Sequence, residues 1–335
     1  ATTFKTTELE TLTALAPRKG MRVPTALTAM LTAGDLPRPA GLLQDLVRTV
    51  QPDALIVQDL AMIDLARQNG FAGEIHLSTL ANAGFAGSLD WIPRQLAVDQ
   101  VVVPRELDID EIRAMAAACP DGLGLEVFIH GALCYSVSGR CYWSSFLGGK
   151  SGLRGRCVQP CRRQYQQRNR PQRHFSCMDL SHDVLVKVLR TIPEVKTWKI
   201  EGRKKGPHYV YHTVMAYRML RDEGHDPQKK REALQLLAQS LGRPTTHYRF
   251  LPQRPQIPLQ PETPTGSGLM VGIVKGTAQN PYISPRQPLL AGDVLRVGYE
   301  DDAGHTIVRV RKSIARNGRL NFKPGRRGGG GRQMP

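Results

Sequence analysis

Short apolar runs alternate with longer amphipathic segments along the first two thirds of the chain. In the longer segments apolar residues recur every three or four positions, which is typical of helices, while the short runs are typical of buried strands. Strands separated by helices in this way indicate parallel βα units. The predicted strands cover 21–29, 53–59, 73–79, 98–106, 123–131, 174–180 and 196–202. The predicted helices cover 6–19, 39–50, 60–70, 86–96, 109–119, 181–192 and 207–223.

This alternation predicts an α/β fold, a TIM-like parallel βα barrel. A closed barrel of this type has eight strands, whereas the pattern predicts seven, so the barrel is expected to be open or to lack a strand at its front. Pro24 lies in the first predicted strand and has no N–H for a strand ladder, which makes that segment an edge strand or an irregular element.

The chain divides into four parts by composition. Residues 1–225 are predicted to form the barrel-like domain, with a cysteine-rich insertion at 132–173. Residues 226–267 are predicted to form a helix followed by a proline-rich connector that is extended and not packed. Short strands with turn signals at 268–323 predict a small β-barrel domain, and the Gly/Arg-rich residues 324–335 predict a disordered tail.

A formal net charge of +17 and a pI of about 9.9 favour a polyanionic partner, with nucleic acid ahead of an anionic membrane surface. The sequence contains no apolar run near the roughly 20 residues of a membrane span. Its first residues, ATTFKTTELETL, lack the apolar core of a signal peptide. These features predict a cytoplasmic protein, in which clustered cysteines indicate metal binding or catalysis rather than disulfides.

The stretch from Glu126 to Asp179 contains most of the candidate chemistry. It holds five of the 6 cysteines, nine Lys or Arg residues and no acidic residue between its two ends. The spacings C-x6-C and C-x3-C are wide for a zinc finger and favour an iron–sulfur cluster, although zinc stays an alternative. Cys119 lies on the apolar face of a predicted helix and is expected in the core. The clustered cysteines are Cys134, Cys141, Cys157, Cys161 and Cys177.

Catalytic groups of parallel βα scaffolds collect at the carboxyl ends of strands. Arg105, Arg140 and Arg203 are candidates for binding a carboxylate or phosphate in bidentate fashion. His130 is expected to transfer protons, because an unperturbed imidazole titrates near neutral pH. For each charged residue a structural ion pair is the alternative. The candidate catalytic residues at these strand ends are Arg105, Glu106, His130, Asp179, Glu201 and Arg203.

Basic residues of the cysteine-rich insertion are candidates for contacts with the phosphates of a nucleic acid. Such contacts make binding strongly dependent on salt. The candidate phosphate-binding residues are Lys150, Arg154, Arg156, Arg162 and Arg163.

Three segments resemble the collagenase-like peptidase family U32. They are EVFIHGALCYSVSGRC at 126–141, GRCVQPCRRQY at 155–165 and WKIEGRKKGPHYV at 198–210. The resemblance extends from residue 4 into the C-terminal β module. It implies two further strand–helix units ahead of the first residue, so the front of the barrel is expected to be missing here.

The resemblance also implies chemistry. The better-understood members of this family are iron–sulfur proteins of oxygen-independent hydroxylation, acting on a uridine in tRNA or a cytidine in 23S rRNA and drawing on prephenate. Two members form a heterodimer that hydroxylates ubiquinone precursors. By resemblance, a 4Fe–4S cluster is expected on Cys134, Cys141, Cys157 and Cys161, with Cys177 as an alternative fourth ligand.

The leading hypothesis is therefore an iron–sulfur protein that hydroxylates a tRNA or rRNA pyrimidine, with RNA as partner and prephenate as co-substrate. One alternative is a component of a small-molecule hydroxylase that works with a paralogous partner, which the positive charge disfavours. A peptidase is a second alternative, disfavoured because the sequence has neither HExxH nor GxSxG. A third is an RNA-binding scaffold with a structural metal.

Overall fold

The computed structural model describes residues 4–203, 205–240, 243–261, 269–298 and 306–323, apart from the side chains of residues 93 and 94. The helices in these residues are α1 (Thr6–Leu15), α2 (Pro37–Asp45), α3 (Ala61–Gln68), α4 (Ala86–Gln95), α5 (Ile109–Ala117), α6 (Trp143–Gly148), α7 (Val186–Leu189), α8 (Pro207–Asp222) and α9 (Pro227–Ser240). The strands of the first two thirds are β1 (Pro24–Leu27), β2 (Ala54–Val57), β3 (Glu74–Leu77), β4 (Gln100–Val102), β5 (Gly124–Ala132), β6 (Tyr165–Gln167), β7 (Arg170–Gln172), β8 (Asp179–Ser181) and β9 (Val195–Ile200). The remaining strands are β10 (Thr245–Thr246), β11 (Val274–Gly276), β12 (Pro281–Ile283), β13 (Val294–Val297), β14 (Thr306–Arg309) and β15 (Leu320–Asn321).

Six parallel strands form the central sheet in the order β1-β2-β3-β4-β5-β9. This arrangement confirms the predicted α/β architecture with a parallel sheet. Among the described residues β1 and β9 each pair with a single neighbour, so the sheet is open there and barrel closure stays a prediction. Pro24 begins the edge strand β1, as its missing N–H predicts.

The two faces of the sheet differ in polarity because successive side chains of a strand point to opposite sides. The register aligns one apolar row across four strands, and this row belongs to the main core with the helices. Alternate positions carry His76, Gln100 and Glu126, all buried, on the other face. One face therefore supplies the core, while the other holds polar groups. The apolar row is Val57, Leu77, Val101 and Leu125.

The strand predicted at 174–180 is placed differently in the structure. Only β8 joins the sheet, and it runs antiparallel to the end of β5, pairing His130 with Ser181. Residues before β8 are held instead by the connector, because Cys177 forms a bridge with Leu259 and the Met178 N–H donates to the Pro258 carbonyl at 2.7 Å. The expectation of another parallel strand was wrong, and the chain crosses over the carboxyl end of β5.

The proline-rich connector forms turns and bends at residues 248–254, has no regular structure at 255–258, and packs against the first domain as far as residue 261. Phe250 is buried, its ring lies on His182 with centroids 4.0 Å apart, and its carbonyl accepts from the Ile109 N–H at 3.0 Å. Proline carbonyls accept N–H groups from the chain around β8, including that of Asp179, which donates to Pro244 at 3.1 Å. The prediction of an unpacked connector was wrong for this part.

The C-terminal strands pack around a separate small core. Strands β11, β12 and β15 form one antiparallel sheet and β13 pairs with β14 in another. Ile283, Leu289, Leu295 and Val310 lie buried together between them. This supports a small β domain, although the described strands do not close into a barrel. The predicted tail at 324–335 lies outside the described residues.

None of the helices in the described part of the chain combines the length and apolar character that a membrane span requires.

Candidate functional site

The cysteine loop, residues 132–173, lies across the carboxyl ends of the parallel strands. Beyond β1, the Met30 N–H donates to the Leu153 carbonyl at 3.1 Å. Beyond β4, Glu106 accepts from both the backbone N–H and the hydroxyl of Ser138, at 2.7 and 3.0 Å. The loop is thus fixed over the edge of the sheet where βα scaffolds place their chemistry.

A third attachment lies beyond β3, where the backbone at Gly139 passes close to Leu80. Gly139 has φ +73°, and a Cβ there would lie 2.8 Å from the Leu80 carbonyl oxygen. Beside it the Asn82 amide, oriented by its hydrogen bonds, donates to the Ser138 carbonyl at 3.2 Å and accepts from Arg140 Nε and Nη2 at 3.0 and 2.8 Å. Arg140 therefore already has a partner in the loop attachment, and only glycine fits this approach.

Four cysteines of the loop lie near one another as free thiols. Cys134 is an exposed residue, but partial desolvation raises the pKa of its thiol, an effect that Cys141 and Cys157 increase. Burial likewise raises the pKa of Cys161 to about 11, with contributions from Cys134, Cys157 and Cys141. Such mutual effects place the thiols within electrostatic range of one another. No three His, Cys, Asp or Glu side chains of the described residues are arranged to hold a single metal ion.

Hydrogen-bond donors face two of these sulfurs. The Ser144 hydroxyl and the Gln159 N–H lie 3.5 and 3.4 Å from the Cys157 sulfur. The Ser136 backbone N–H donates to Cys134 and opposes the effect of burial on the pKa of that thiol. Donors of this kind favour the thiolate form.

The two remaining cysteines have apolar surroundings. Cys177 is buried in a cluster with Phe128 and Leu180, and burial raises its pKa to about 11. Cys119 packs against the main core, and its thiol lies 3.5 Å from the Leu123 carbonyl, which confirms the predicted core position. Cys177 nevertheless lies near Cys161 and Cys134, whose charges raise its pKa further.

Arg105 and Glu201 form an ion pair beside the cysteines. Arg105 Nη2 lies 2.8 Å from Glu201 Oε2, and the guanidinium carbon lies 3.6 Å from the centroid of the Phe128 ring. Burial lowers the pKa of Arg105, whereas the charges of Glu201 and Cys134 raise it. Gly131 has φ +122°, and a Cβ there would lie 2.6 Å from Glu201 Cβ, so the pair is held against β5. Arg105 is thus a cation placed between a carboxylate and a thiol.

His130 is buried at the end of β5. Its Nδ1 lies 3.1 Å from the Tyr217 hydroxyl and 3.3 Å from the Ser181 hydroxyl, while Nε2 has no partner among the described residues. Burial, with a smaller effect of Lys205, lowers the pKa of His130 to about 3. The imidazole is therefore neutral at pH 7. The expectation that it titrates near neutral pH was wrong, because the sequence does not show desolvation.

The other candidates have separate roles. Asp179 is buried and pairs with Arg243 at 3.3 Å. Arg203 is exposed, as are Lys150, Arg154, Arg156 and Arg163, although Arg154 pairs with Asp35 at 2.9 Å.

Arg162 differs from the other basic residues of the loop. It is half-buried, its Nη2 donates to the Leu133 carbonyl at 2.8 Å, and its Nη1 donates to the Ser176 hydroxyl at 3.0 Å and to the Cys177 carbonyl. Its donors thus join the two ends of the cysteine loop. This placement assigns Arg162 to holding the loop in shape, not to the exposed surface of the loop.

Arg162→Ala is therefore expected to lower the free energy of unfolding by about 2–3 kcal/mol, because it leaves carbonyl oxygens without a donor. Arg163→Ala, at the exposed neighbouring position, is expected to stay within about 0.5 kcal/mol of the unaltered chain. Urea unfolding followed by tryptophan fluorescence measures both. Equal stabilities of the two variants would contradict the structural role.

A buried polar network on the sheet face was not found from the sequence. Gln100 Nε2 donates to Glu126 Oε2 at 2.8 Å, and Lys199 Nζ lies 2.6 Å from Glu126 Oε1. The Thr197 hydroxyl donates to Gln100 Oε1 at 3.1 Å. The signal that was overlooked is the polar residue at alternate positions within strands that are otherwise apolar.

Comparison with known proteins gives a family match. The sequence model of peptidase family U32 matches residues 1–260. The "Collagenase" of Porphyromonas gingivalis is 31% identical over 235 residues, which is 65% of this chain and 56% of that protein. The "23S rRNA 5-hydroxycytidine C2501 synthase" of Escherichia coli is 32% identical over 222 residues, 64% of this chain and 33% of that protein. The "tRNA hydroxylation protein P" of Haemophilus influenzae is 41% identical over 118 residues, 35% of this chain and 25% of that protein. The matches thus span from a quarter to just over half the length of these relatives.

Proposed function

We propose, since the chain belongs to peptidase family U32, that it acts in the oxygen-independent hydroxylation of a pyrimidine in tRNA or rRNA. Relatives named for tRNA hydroxylation and for rRNA hydroxycytidine synthesis support this class of reaction. The observation that carries the proposal is the gathering of four neighbouring free thiols, from one loop without acidic residues, over the carboxyl ends of the parallel strands.

The donor set fits a 4Fe–4S cluster on Cys134, Cys141, Cys157 and Cys161. A single zinc ion draws four sulfurs to about 2.3 Å from one point. A four-iron cage is larger and suits the wide spacing of these cysteines along the chain. The donors at the Cys134 and Cys157 sulfurs are of the kind that tune such clusters.

When bound, such a cluster supplies electron transfer, or an iron that polarises a ligand. The residues around it control charge and water. Arg105 places a positive charge beside Cys134 and offsets the charge of the thiolate. Glu201 and the Phe128 ring hold that guanidinium in position, so it is ready before a substrate arrives.

The exposed cations of the loop support RNA as the substrate. Lys150, Arg156 and Arg163 lie at the surface of the loop that carries the cysteines. Phosphates bound there would release counterions, so affinity would fall steeply with salt. The prephenate co-substrate, the paralogous partner and the cytoplasmic location stay predictions.

Deletion of the gene is expected to remove one hydroxylated pyrimidine nucleoside from tRNA or rRNA. Return of the unaltered gene should restore that nucleoside, while a gene with Cys134→Ala should not, because the cluster would lose a ligand. Mass spectrometry of nucleosides from digested tRNA and rRNA measures the change.

Two results would contradict the proposal. Unchanged nucleosides with altered quinone precursors would favour the small-molecule hydroxylase. Unchanged nucleosides together with cleavage of gelatin by the purified protein would favour the peptidase, the activity named for the Porphyromonas relative.

A further inference from the structure

The outer surface of the cysteine loop is aromatic. Phe146 is 86% exposed, Tyr142 67% and Tyr135 45%, with Val137 and Leu147 exposed beside them in sequence. Large apolar side chains grouped in this way on a surface indicate an interaction site. None of the roles assigned above to the loop uses these side chains.

Helix α6 connects this surface to the cysteines. Its inward side carries Ser144, which is fully buried, with its hydroxyl 3.5 Å from the Cys157 sulfur and accepting from the Val158 N–H at 3.1 Å. A Cβ on Gly148 would lie 3.3 Å from the Val158 side chain, so the helix packs directly on this segment. Tyr142 and Phe146 lie exposed on the same short segment. A molecule seated on them would lie next to the cysteine group.

Other aromatic rings in and beside the loop pack on one another. Trp143 stacks on Tyr165 with centroids 5.9 Å apart, and Phe175 meets both rings edge to face. Tyr135 joins this cluster through Phe175, with centroids 5.3 Å apart. Tyr135 is thus held by its neighbours, while Tyr142 and Phe146 keep most of their surface exposed.

The positive charge around the aromatic surface indicates which class of molecule binds there. Residues 127–178 include nine Lys or Arg and no acidic residue, and Lys150, Arg156 and Arg163 are exposed. A surface of this charge matches a polyanion, and single-stranded nucleic acid binds where aromatic rings alternate with cations. In a duplex the faces of the bases are covered by stacking, so the matching partner has unpaired bases.

We infer that the exposed rings of Tyr142 and Phe146 are a stacking surface for unpaired RNA bases, with the neighbouring cations on the flanking phosphates. The inference rests on the proposed function and deepens it, because it specifies single-stranded or looped RNA as the substrate. It also gives a reason for the position of α6, which holds a stacked base beside the cysteines.

The test uses anaerobically purified full-length chain and a fluorescein-labelled uridine homopolymer of about 16 nucleotides, within the site sizes of single-strand binders. Phe146→Ala is expected to weaken binding roughly 5- to 150-fold, the loss that removal of a stacking ring produces. The salt slope should stay unchanged, because no charge is removed. Arg156→Gln should instead lower that slope by about 0.7. Trp91→Ala, at a ring 52% exposed on α4 outside the loop, is the matched control and should leave affinity unchanged.

The outcomes separate this inference from the proposed function. If the unaltered chain binds the homopolymer and Phe146→Ala binds it equally well, the stacking surface is wrong while the hydroxylation proposal stands. If Phe146→Ala keeps RNA affinity but loses a co-purifying protein, the surface serves a protein and the inference is overturned. Loss of affinity in Phe146→Ala with normal iron content supports the inference. Failure of the hydroxylation proposal itself would appear in the nucleoside analysis of the deletion strain.

Discussion

Chain purified without oxygen is expected to be brown, with broad absorption near 400 nm and about four irons per chain, and Cys134→Ala is expected to reduce the iron to near zero. Cys141→Ala and Cys157→Ala should behave in the same way. In the proposed cluster each substitution removes one of the four thiolate ligands. Iron and sulfide analysis together with absorption spectra measures the effect.

Cys119→Ala is the matched control, because Cys119 is half-buried against the main core just after α5, outside the cysteine loop. It should keep about four irons. Colourless protein that carries one zinc would overturn the cluster proposal, and so would full iron content in Cys134→Ala.

The fourth ligand is decided by comparing Cys161→Ala with Cys177→Ala. Cys161 is half-buried, and the charges of Cys134, Cys141 and Cys157 all raise its pKa. Cys177 is buried among apolar side chains and its backbone bridges Leu259 in the connector. The structure therefore favours Cys161, so Cys161→Ala should lose the iron and Cys177→Ala should retain it. The opposite pattern would assign Cys177.

Phe250→Ala is expected to lower the free energy of unfolding of the first domain by about 3–5 kcal/mol, which is the usual cost of removing a buried aromatic ring. Phe250 belongs to the main core, lies against His182 and fixes the start of α5 through its carbonyl. Removing the ring leaves a cavity that the connector can fill only in part. Urea denaturation followed by circular dichroism gives the change.

Ile257→Ala is the control for that measurement, because Ile257 lies in the same connector and is 79% exposed. It should stay within about 0.5 kcal/mol of the unaltered chain. Similar stabilities for the two variants would mean that the connector is not part of the domain, as the proline content first suggested. A large loss from Phe250→Ala alone shows that the domain extends beyond residue 225.

Sequence reasoning succeeded where local pattern decides the outcome. Strand–helix alternation predicted the parallel sheet, because apolar runs of strand length must be buried on both sides. The placement of Pro24 on an edge strand followed from its missing N–H. The carboxyl-end rule brought Arg105, Glu106 and Glu201 to the edge covered by the cysteine loop.

Sequence reasoning failed where the hydrogen-bond partners of a residue come from distant segments of the chain. Arg162 and Arg163 are adjacent and identical in type, yet one is half-buried on carbonyl groups and the other exposed. Likewise Glu106 resembled a catalytic carboxylate, but Ser138, 32 residues away, uses both of its oxygens as an anchor. Residue type gives the chemistry that is available, and only the surroundings show how it is used.

The sequence by itself determined the α/β alternation, the acid-free cysteine loop and the family, because each depends on residue type and order. The tertiary structure alone decided the antiparallel β8, the low pKa of His130, the packing of Phe250 and the aromatic surface around Phe146. Burial and pairing energies depend on which side chains meet in space. Residues far apart in the chain supply those contacts, so no local pattern contains them.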